Sequence, residues 1–321
     1  MGVTHVATAT KTRKRTSRAR SSNGAAPAKA EARRPKRQEK KEEPGGLRGL
    51  IARRASNWST DPPDERFIEA QGRFWNILVD HYFRMEVRGW ERLPDPPALV
   101  ISIHAGGILP IDAYAFGFQW YREFGVERPL RGTSHDFLMA APGLGEYLRR
   151  IGSLPASPDS ITAALDAGQD VIIWPGGDLD ALRPWSKRDE VVLGGRRGFI
   201  KQAIQSQVPI VPVASIGAAD TLIVLTDGRR LAKLLRLDKL ARSEVFPIAV
   251  GFPFGIAPGI VPQVPLPAKL RAEILDPVEF NVSPDRFEDD EYVNRKYREV
   301  ERRLQEGVDR LAKRRSFPLF G

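Results

Sequence analysis

Along the chain, apolar residues gather in short continuous runs set between longer stretches of helical periodicity. Pro97-Ala98-Leu99-Val100-Ile101-Ser102-Ile103 and Val171-Ile172-Ile173-Trp174 are short and rich in β-branched residues, as buried strands are. Pro209-Ile210-Val211-Pro212-Val213 reads as another strand, its prolines pointing to a strand start or an edge. Residues 270–275 alternate as a strand, residues 85–90 as an edge strand, and Leu130-Arg131-Gly132 as a short strand end. Between these runs the spacing predicts helices. In residues 64–86, Phe67, Phe74, Trp75, Ile77, Leu78, Tyr82 and Phe83 recur at roughly helical intervals and predict a helix packed on the body. Residues 112–124 carry aromatics that read as core packing, and residues 142–151 form a further helix. Ser157-Pro158-Asp159 caps another that ends at Gly168. One more begins within residues 196–203, and Val293, Tyr297, Val300, Leu304, Val308 and Leu311 mark a charged C-terminal helix. Strands alternating with helices predict an α/β domain whose largely parallel central sheet is flanked by helices.

Three segments fit that scheme less directly. Residues 47–54 are short and amphipathic. Residues 229–242 form a basic amphipathic helix, with Leu231, Leu234, Leu235 and Leu237 on one side and Arg229, Arg230, Lys233, Arg236 and Lys239 supplying charge. Such a helix lies either in a membrane interface or over the core, and the interface is expected here. Phe252-Pro253-Phe254-Gly255 and residues 261–267 make a proline-rich apolar loop, either a lid or a lipid-facing surface. No apolar run reaches the roughly 20 residues of a spanning helix. The nearest, residues 208–225, contains two prolines, Gly217 and Asp220. The chain therefore reads as soluble or monotopic.

Composition narrows the chemistry. The 321 residues include no cysteine, which removes disulfides, thiol nucleophiles and thiolate metal sites together. No H-E-x-x-H occurs among the four histidines, so no metal site is expected. The net charge of +10 lies wholly in the first 50 residues, which hold 14 Lys and Arg against 4 Glu. The remainder is neutral, which argues against a nucleic-acid-binding domain. Residues 1–45 have almost no large apolar side chains and are expected to be a disordered basic tail, either simply solvated or attracted to anionic lipid or nucleic acid. Residues 46–321 form the folded domain.

Candidate catalysis centres on the stretch following the first buried strand, His104-Ala105-Gly106-Gly107-Ile108-Leu109-Pro110-Ile111-Asp112. An imidazole at a strand end, a turn of two glycines, and a carboxylate in the first turn of a helix opened by Pro110 suit a general base. No helical periodicity joins His104 to Asp112, so the loop must fold back for them to touch. No Walker A loop is present, and Gly143-Leu144-Gly145 sits inside a helical stretch, so it is not a dinucleotide fingerprint. Val213-Ala214-Ser215-Ile216-Gly217 looks like a nucleophile elbow with Val213 in place of the first glycine.

The order of the pieces is more specific than any one of them. His104…Asp112 is followed by Arg131-Gly132, Pro175-Gly176-Gly177-Asp178, Arg183-Pro184-Trp185, Arg196-Arg197-Gly198-Phe199 and Pro209–Val213. This order resembles the glycerolipid and lysophospholipid acyltransferases, especially their diacylglycerol-acyltransferase-like branch, over roughly residues 85–280. The resemblance implies an α/β acyltransferase without a permanently bound cofactor. It would move a fatty acyl group from acyl-CoA or acyl carrier protein to a glycerolipid or lysophospholipid hydroxyl. His104 would be the base and Asp112 its orienting partner. Arg131, Gly176, Gly177, Asp178, Arg183 and Arg197 would bind substrate or phosphate, although each arginine also suits a surface ion pair and Asp178 a pairing with Arg183. Its setting would be cytoplasmic, at the inner membrane face. The chain departs from the family pattern at three points. Leu109 stands where the acid usually follows the histidine, Gly176 replaces the Glu of the usual P-E-G turn, and Ala156 stands in place of a phosphate-binding arginine. A neutral or differently shaped acceptor follows. A serine hydrolase using Ser215 and a catalytically silent lipid-binding protein are the competing readings.

Overall fold

The computed structural model describes residues 46–315 except 108, 237–244 and 260. The basic tail, Ile108 and the far end of the amphipathic segment, with Leu237 and Lys239, lie outside the described residues. Ten strands are described: β1 (Glu86–Arg88), β2 (Leu99–Ser102), β3 (Leu130–Ser134), β4 (Leu154–Pro155), β5 (Asp170–Ile173), β6 (Ile210–Ile216), β7 (Ile223–Thr226), β8 (Ile248–Gly251), β9 (Gly255–Pro258) and β10 (Arg271–Ile274). The α-helices are α1 (Gly46–Ala55), α2 (Glu65–Ala70), α3 (Gly72–Asn76), α4 (Ile111–Phe124), α5 (Asp136–Ala140), α6 (Leu144–Arg150), α7 (Pro158–Asp166), α8 (Asp178–Ala181), α9 (Gly198–Ser206), α10 (Arg229–Leu234) and α11 (Asp290–Lys313).

Seven strands form one sheet in the order β1-β10-β6-β2-β5-β3-β4. Every pairing is parallel except β10 with β6. The α/β class and the largely parallel sheet are thus as the pattern predicts. Side chains alternate across the sheet with period 2. Leu99, Ile101 and Ile103 of the β2 run join the core under α7, α9 and α11, whereas Ala98 and Val100 join the core under α4. On the first face α11 packs directly on β6: a Cβ at Gly307 would stand 2.6 Å from that of Ala214, so only glycine permits the approach.

Three expectations need correction. Pro212 lies neither at a start nor at an edge, because β6 is interior. The Pro212 carbonyl accepts from Leu275 N–H at 2.9 Å, just past the end of β10. In extended backbone the N and O of one residue point the same way, so the missing N–H falls between the end of β10 and the isolated Ile210–Val278 bridge, where the pairing is interrupted. The helical stretch over 64–86 exists, as α2, α3 and a wide turn closed by Phe83 N–H to Leu78 O, but it does not bury its whole apolar side. Phe74 and Ile77 remain about 60% exposed. The loop around Phe252 is part of a second, antiparallel sheet, β7-β8-β9, with Phe252, Phe254, Ile256 and Val264 facing outward, so it is no lid over the core.

Candidate active site

β2 delivers His104 to the carboxyl edge of the parallel sheet, where ligands of open α/β sheets bind. The chain then reverses through Gly106 (φ +89°) and Gly107 (φ +86°), a left-handed pair that a side-chain-bearing residue would strain. A Cβ on Gly106 would also stand 2.7 Å from Thr221 Oγ1. The reversal brings α4 back so that Asp112, eight residues on, places Oδ2 3.1 Å from His104 Nδ1. The same oxygen accepts Ala105 N–H at 3.1 Å, and Oδ1 accepts Ala113 N–H at 2.9 Å. A carboxylate holding three contacts as acceptor fixes the proton on Nδ1 and leaves the Nε2 lone pair free. Among the described residues Nε2 has no hydrogen-bond partner. Trp174, from the end of β5, lies against the imidazole with ring centroids 5.1 Å apart.

A second carboxylate completes the support. Asp180, fully buried on α8, accepts the His104 N–H and pairs with Arg183. Arg183 in turn donates to the His104 carbonyl at 2.8 Å and to the Arg188 carbonyl at 3.0 Å. The peptide groups of His104 are therefore gripped from both sides by one ion pair. Burial alone would push the His104 pKa down. The charge and hydrogen bond of Asp112, with the charge of Asp180, outweigh burial and the opposing Arg183, so its pKa stands above the ordinary 6.5. Burial pushes Asp180 up to about 6 against the pull of Arg183 and the His104 N–H.

The remaining residues named from the sequence do not converge on this turn as substrate ligands. Arg131 is buried and donates to the carbonyls of Asp61 (2.5 Å) and Ser59 (2.8 Å), tying the segment before α2 to β3. Arg183 is buried in the brace just described. Arg197 donates to Asn294 Oδ1 of α11 at 2.7 Å. Asp178 pairs with Arg196 at 3.3 Å, and it is Asp180, two residues on, that reaches His104. Gly177 donates its N–H to Trp174 O at 3.2 Å, so that N–H is already engaged rather than aimed at an oxyanion. Gly176 is glycine because Val192 O and Asp180 pack against its Cα. Ser215 lies in the regular strand β6, paired with Ala272, and its Oγ approaches Ile103 O at 3.4 Å. A nucleophile elbow needs a sharp strand-to-helix turn, which this is not.

Asp112 lines a small pocket between α4 and the sheet. Met85, Phe116, Ile172, Trp174, Val213, Ile216, Leu270 and Ala272 make it mostly apolar, with Ser102, Ser215 and Arg271 as its other polar members. Asp180 and Trp174 were not singled out from the sequence. A signal for Asp180 existed: Asp180 and Arg183 stand three apart beside a helix start, the spacing at which opposite charges meet.

The α/β sheet thus carries a carboxylate-oriented histidine beside a mostly apolar pocket. The family model for diacylglycerol acyltransferase matches residues 70–239, and the chain belongs to that family. It is 32% identical over 198 residues to an uncharacterized Mycobacterium tuberculosis protein, Rv0502, covering 61% of this chain and 52% of that one. It is 31% identical over 202 residues to the human "DGAT1/2-independent enzyme synthesizing storage lipids", covering 63% of this chain and 60% of that one. The matched stretch thus spans little more than half the length of these relatives. The crystal structure of the 1-acyl-sn-glycerophosphate acyltransferase PlsC from Thermotoga maritima is similar at a TM-score of 0.46 and 20% identity, over 78% of this chain and 81% of that chain.

Proposed function

We propose that the protein transfers a fatty acyl group from a thioester, acyl-CoA or acyl carrier protein, to a hydroxyl of a neutral glycerolipid, with His104 as general base. The observation that carries this reading is the 3.1 Å contact between His104 and Asp112, made at the edge of an apolar pocket. Nε2 takes the acceptor's hydroxyl proton as its oxygen attacks the thioester carbonyl carbon. The new C–O bond forms, the C–S bond breaks, and the imidazolium returns the proton to the departing thiolate. No enzyme nucleophile is required. Family membership and the human relative's printed name, which refers to storage lipids, support the glycerolipid class. The neutral acceptor is favoured because Arg131, Arg183 and Arg197 are all engaged inside the protein.

The membrane would be met through the unit containing β7–β9 and α10. Leu234, Phe252 and Ile256 are each more than 60% exposed there, and Arg229, Arg230 and Lys233 add positive charge suited to anionic lipid. Among the described residues no helix is long and apolar enough to cross a membrane. A peripheral position at the cytoplasmic face, where the acyl thioesters would be, is the localisation we propose. The test is release of free thiol from oleoyl-CoA on addition of monooleoylglycerol. The chain has no cysteine, so a thiol reagent meets no protein background. Thiol release by the wild type that His104→Ala abolishes supports the reading. Liposome binding without thiol release would instead make the protein a silent lipid binder.

A further inference from the structure

A second, small pocket lies at the His104 turn and shares no lining residue with the first. Gly106 and Leu109 of the turn form one wall, Thr221 and Leu222 another, and Gly259, Val261, Gln263 and Pro265 the third. Among the described residues no charged side chain lines it. Gln263 does, and it is unusual: the residue is only 7% exposed, yet neither Oε1 nor Nε2 has a hydrogen-bond partner among the described residues. A buried primary amide offers two donors and a carbonyl acceptor, and native proteins leave such groups unpaired only rarely. Its position is fixed rather than accidental. Oε1 sits where a Cβ on Gly251 would come within 2.5 Å, so glycine there makes room for it. The segment that carries it is pinned on one side by Val264 N–H to Phe252 O at 2.7 Å and by Leu266 N–H to Thr221 O at 2.8 Å.

We propose that Gln263 is the polar anchor of a second substrate subsite beside the His104 turn, taking a neutral group of hydroxyl or amide type that both donates and accepts a hydrogen bond. The absence of charge in the lining disfavours phosphate. Resting on the acyltransferase reading, the group has two sources: the glycerol hydroxyls of a neutral acylglycerol acceptor, or an amide of the pantetheine arm of the acyl thioester. With ligand bound, the Gln263 amide is satisfied; without it, the amide is a standing cost to the fold.

The test uses the full chain and needs no turnover. Binding of 1-monobutyrylglycerol and of pantetheine is measured by shifts of side-chain amide resonances, with Gln263 assigned by its loss in Gln263→Leu. Wild type should bind one of the two probes through a shift of the Gln263 resonance, and Gln263→Leu should weaken that probe about tenfold. Which probe responds identifies the source. Without ligand, Gln263→Leu should melt about 2 °C or more above wild type, because two unpartnered groups are gone. Unchanged binding in Gln263→Leu, binding of neither probe to the wild type, or a lower melting temperature in the variant overturns the proposal. A wild-type chain that transfers no acyl group would refute the enzymatic reading while leaving this measurement able to decide.

Discussion

The turn at His104 and the β8–β9 hairpin treat their chemistry in opposite ways. At the turn, polar groups that are costly to bury are held together: Asp112 on the ring, Asp180 and Arg183 on the peptide groups to either side. At the hairpin, side chains that favour burial are left outside: Phe252, Phe254 and Ile256 are all more than half exposed. Neither arrangement is what stability alone would select. The turn carries desolvated charge, and the hairpin forgoes burial worth about 1.5–3 kcal/mol for each large side chain. The difference teaches which partner each region lacks. The turn is complete without a ligand except at the free Nε2, so its missing partner is a proton. The hairpin leaves apolar side chains exposed over a whole surface, and the partner we propose for it is an apolar phase.

The comparison breaks most sharply at Nε2. His104→Ala should lower acyl transfer by about 10²–10⁴-fold, the usual range for a general base, with circular dichroism and melting temperature little changed. Thiol release within threefold of wild type would sink the assignment. Next in size is the brace. Arg183→Met leaves Asp180 buried without its cation and should cost about 3–5 kcal/mol in urea unfolding. Replacing both partners by apolar residues is often harmless for an isolated buried pair, but here Asp180→Leu with Arg183→Met also strips both peptide groups of His104. The double variant should therefore stay destabilised. Recovery to wild-type stability would mean that the pair does not hold the turn.

The hairpin sharpens the same contrast from the other side. Phe252→Ser, Phe254→Ser and Ile256→Ser together should leave unfolding free energy within about 1 kcal/mol of wild type, since exposed positions contribute little. Sedimentation with phosphatidylglycerol vesicles should nevertheless fall about tenfold or more, because partial burial of three large side chains would be lost. A variant that sediments undiminished removes the hairpin from the interface. One that unfolds several kcal/mol earlier makes these side chains part of the fold.

Much of the turn was legible in the sequence because the signals were local. β2 is an apolar run bounded by proline, and Asp112 sits in the first turn of α4, where a carboxylate is favoured by the helix dipole. The fold class followed from alternation of strands and helices. What escaped depended on burial across the chain. Asp178 follows the two glycines directly and drew the eye, but Gly176 packs against Asp180, and it is this approach that carries Asp180 to His104. An arginine has the same letter whether it grips phosphate or, like Arg131, two carbonyls 70 residues away. Periodicity over 64–86 marks an apolar side without saying how much of it is covered: Val79 and Phe83 are buried, whereas Phe74 and Ile77 stay exposed. Strand β6 holds Pro212 inside the sheet where the pairing with the neighbouring chain is interrupted, between β10 and the Ile210–Val278 bridge, which the residues of β6 alone do not reveal.

The smallest effect concerns pH, and it separates the two carboxylates of the turn. His104 works as a base only when neutral, and its pKa is raised chiefly by Asp112 over the opposing effect of burial. The acid limb of kcat/KM should therefore lie above pH 6.5, and Asp112→Asn should move it down while lowering the rate. Asp180 acts on stability instead. Its folded pKa of about 6 exceeds the ordinary 3.8, so folding favours its protonated form. That contribution is fully present below about pH 3.8 and is lost as pH rises through about 6. A raised His104 pKa has the same sign: its stabilisation is present below pH 6.5 and disappears as pH climbs through the higher folded value. Asp180→Asn should thus flatten the stability profile between pH 4 and 6, and Asp112→Asn should flatten it above 6.5. Urea midpoints measured across that range decide the matter, and a wild-type profile that both variants reproduce would show that the two acids do not divide the work in this way.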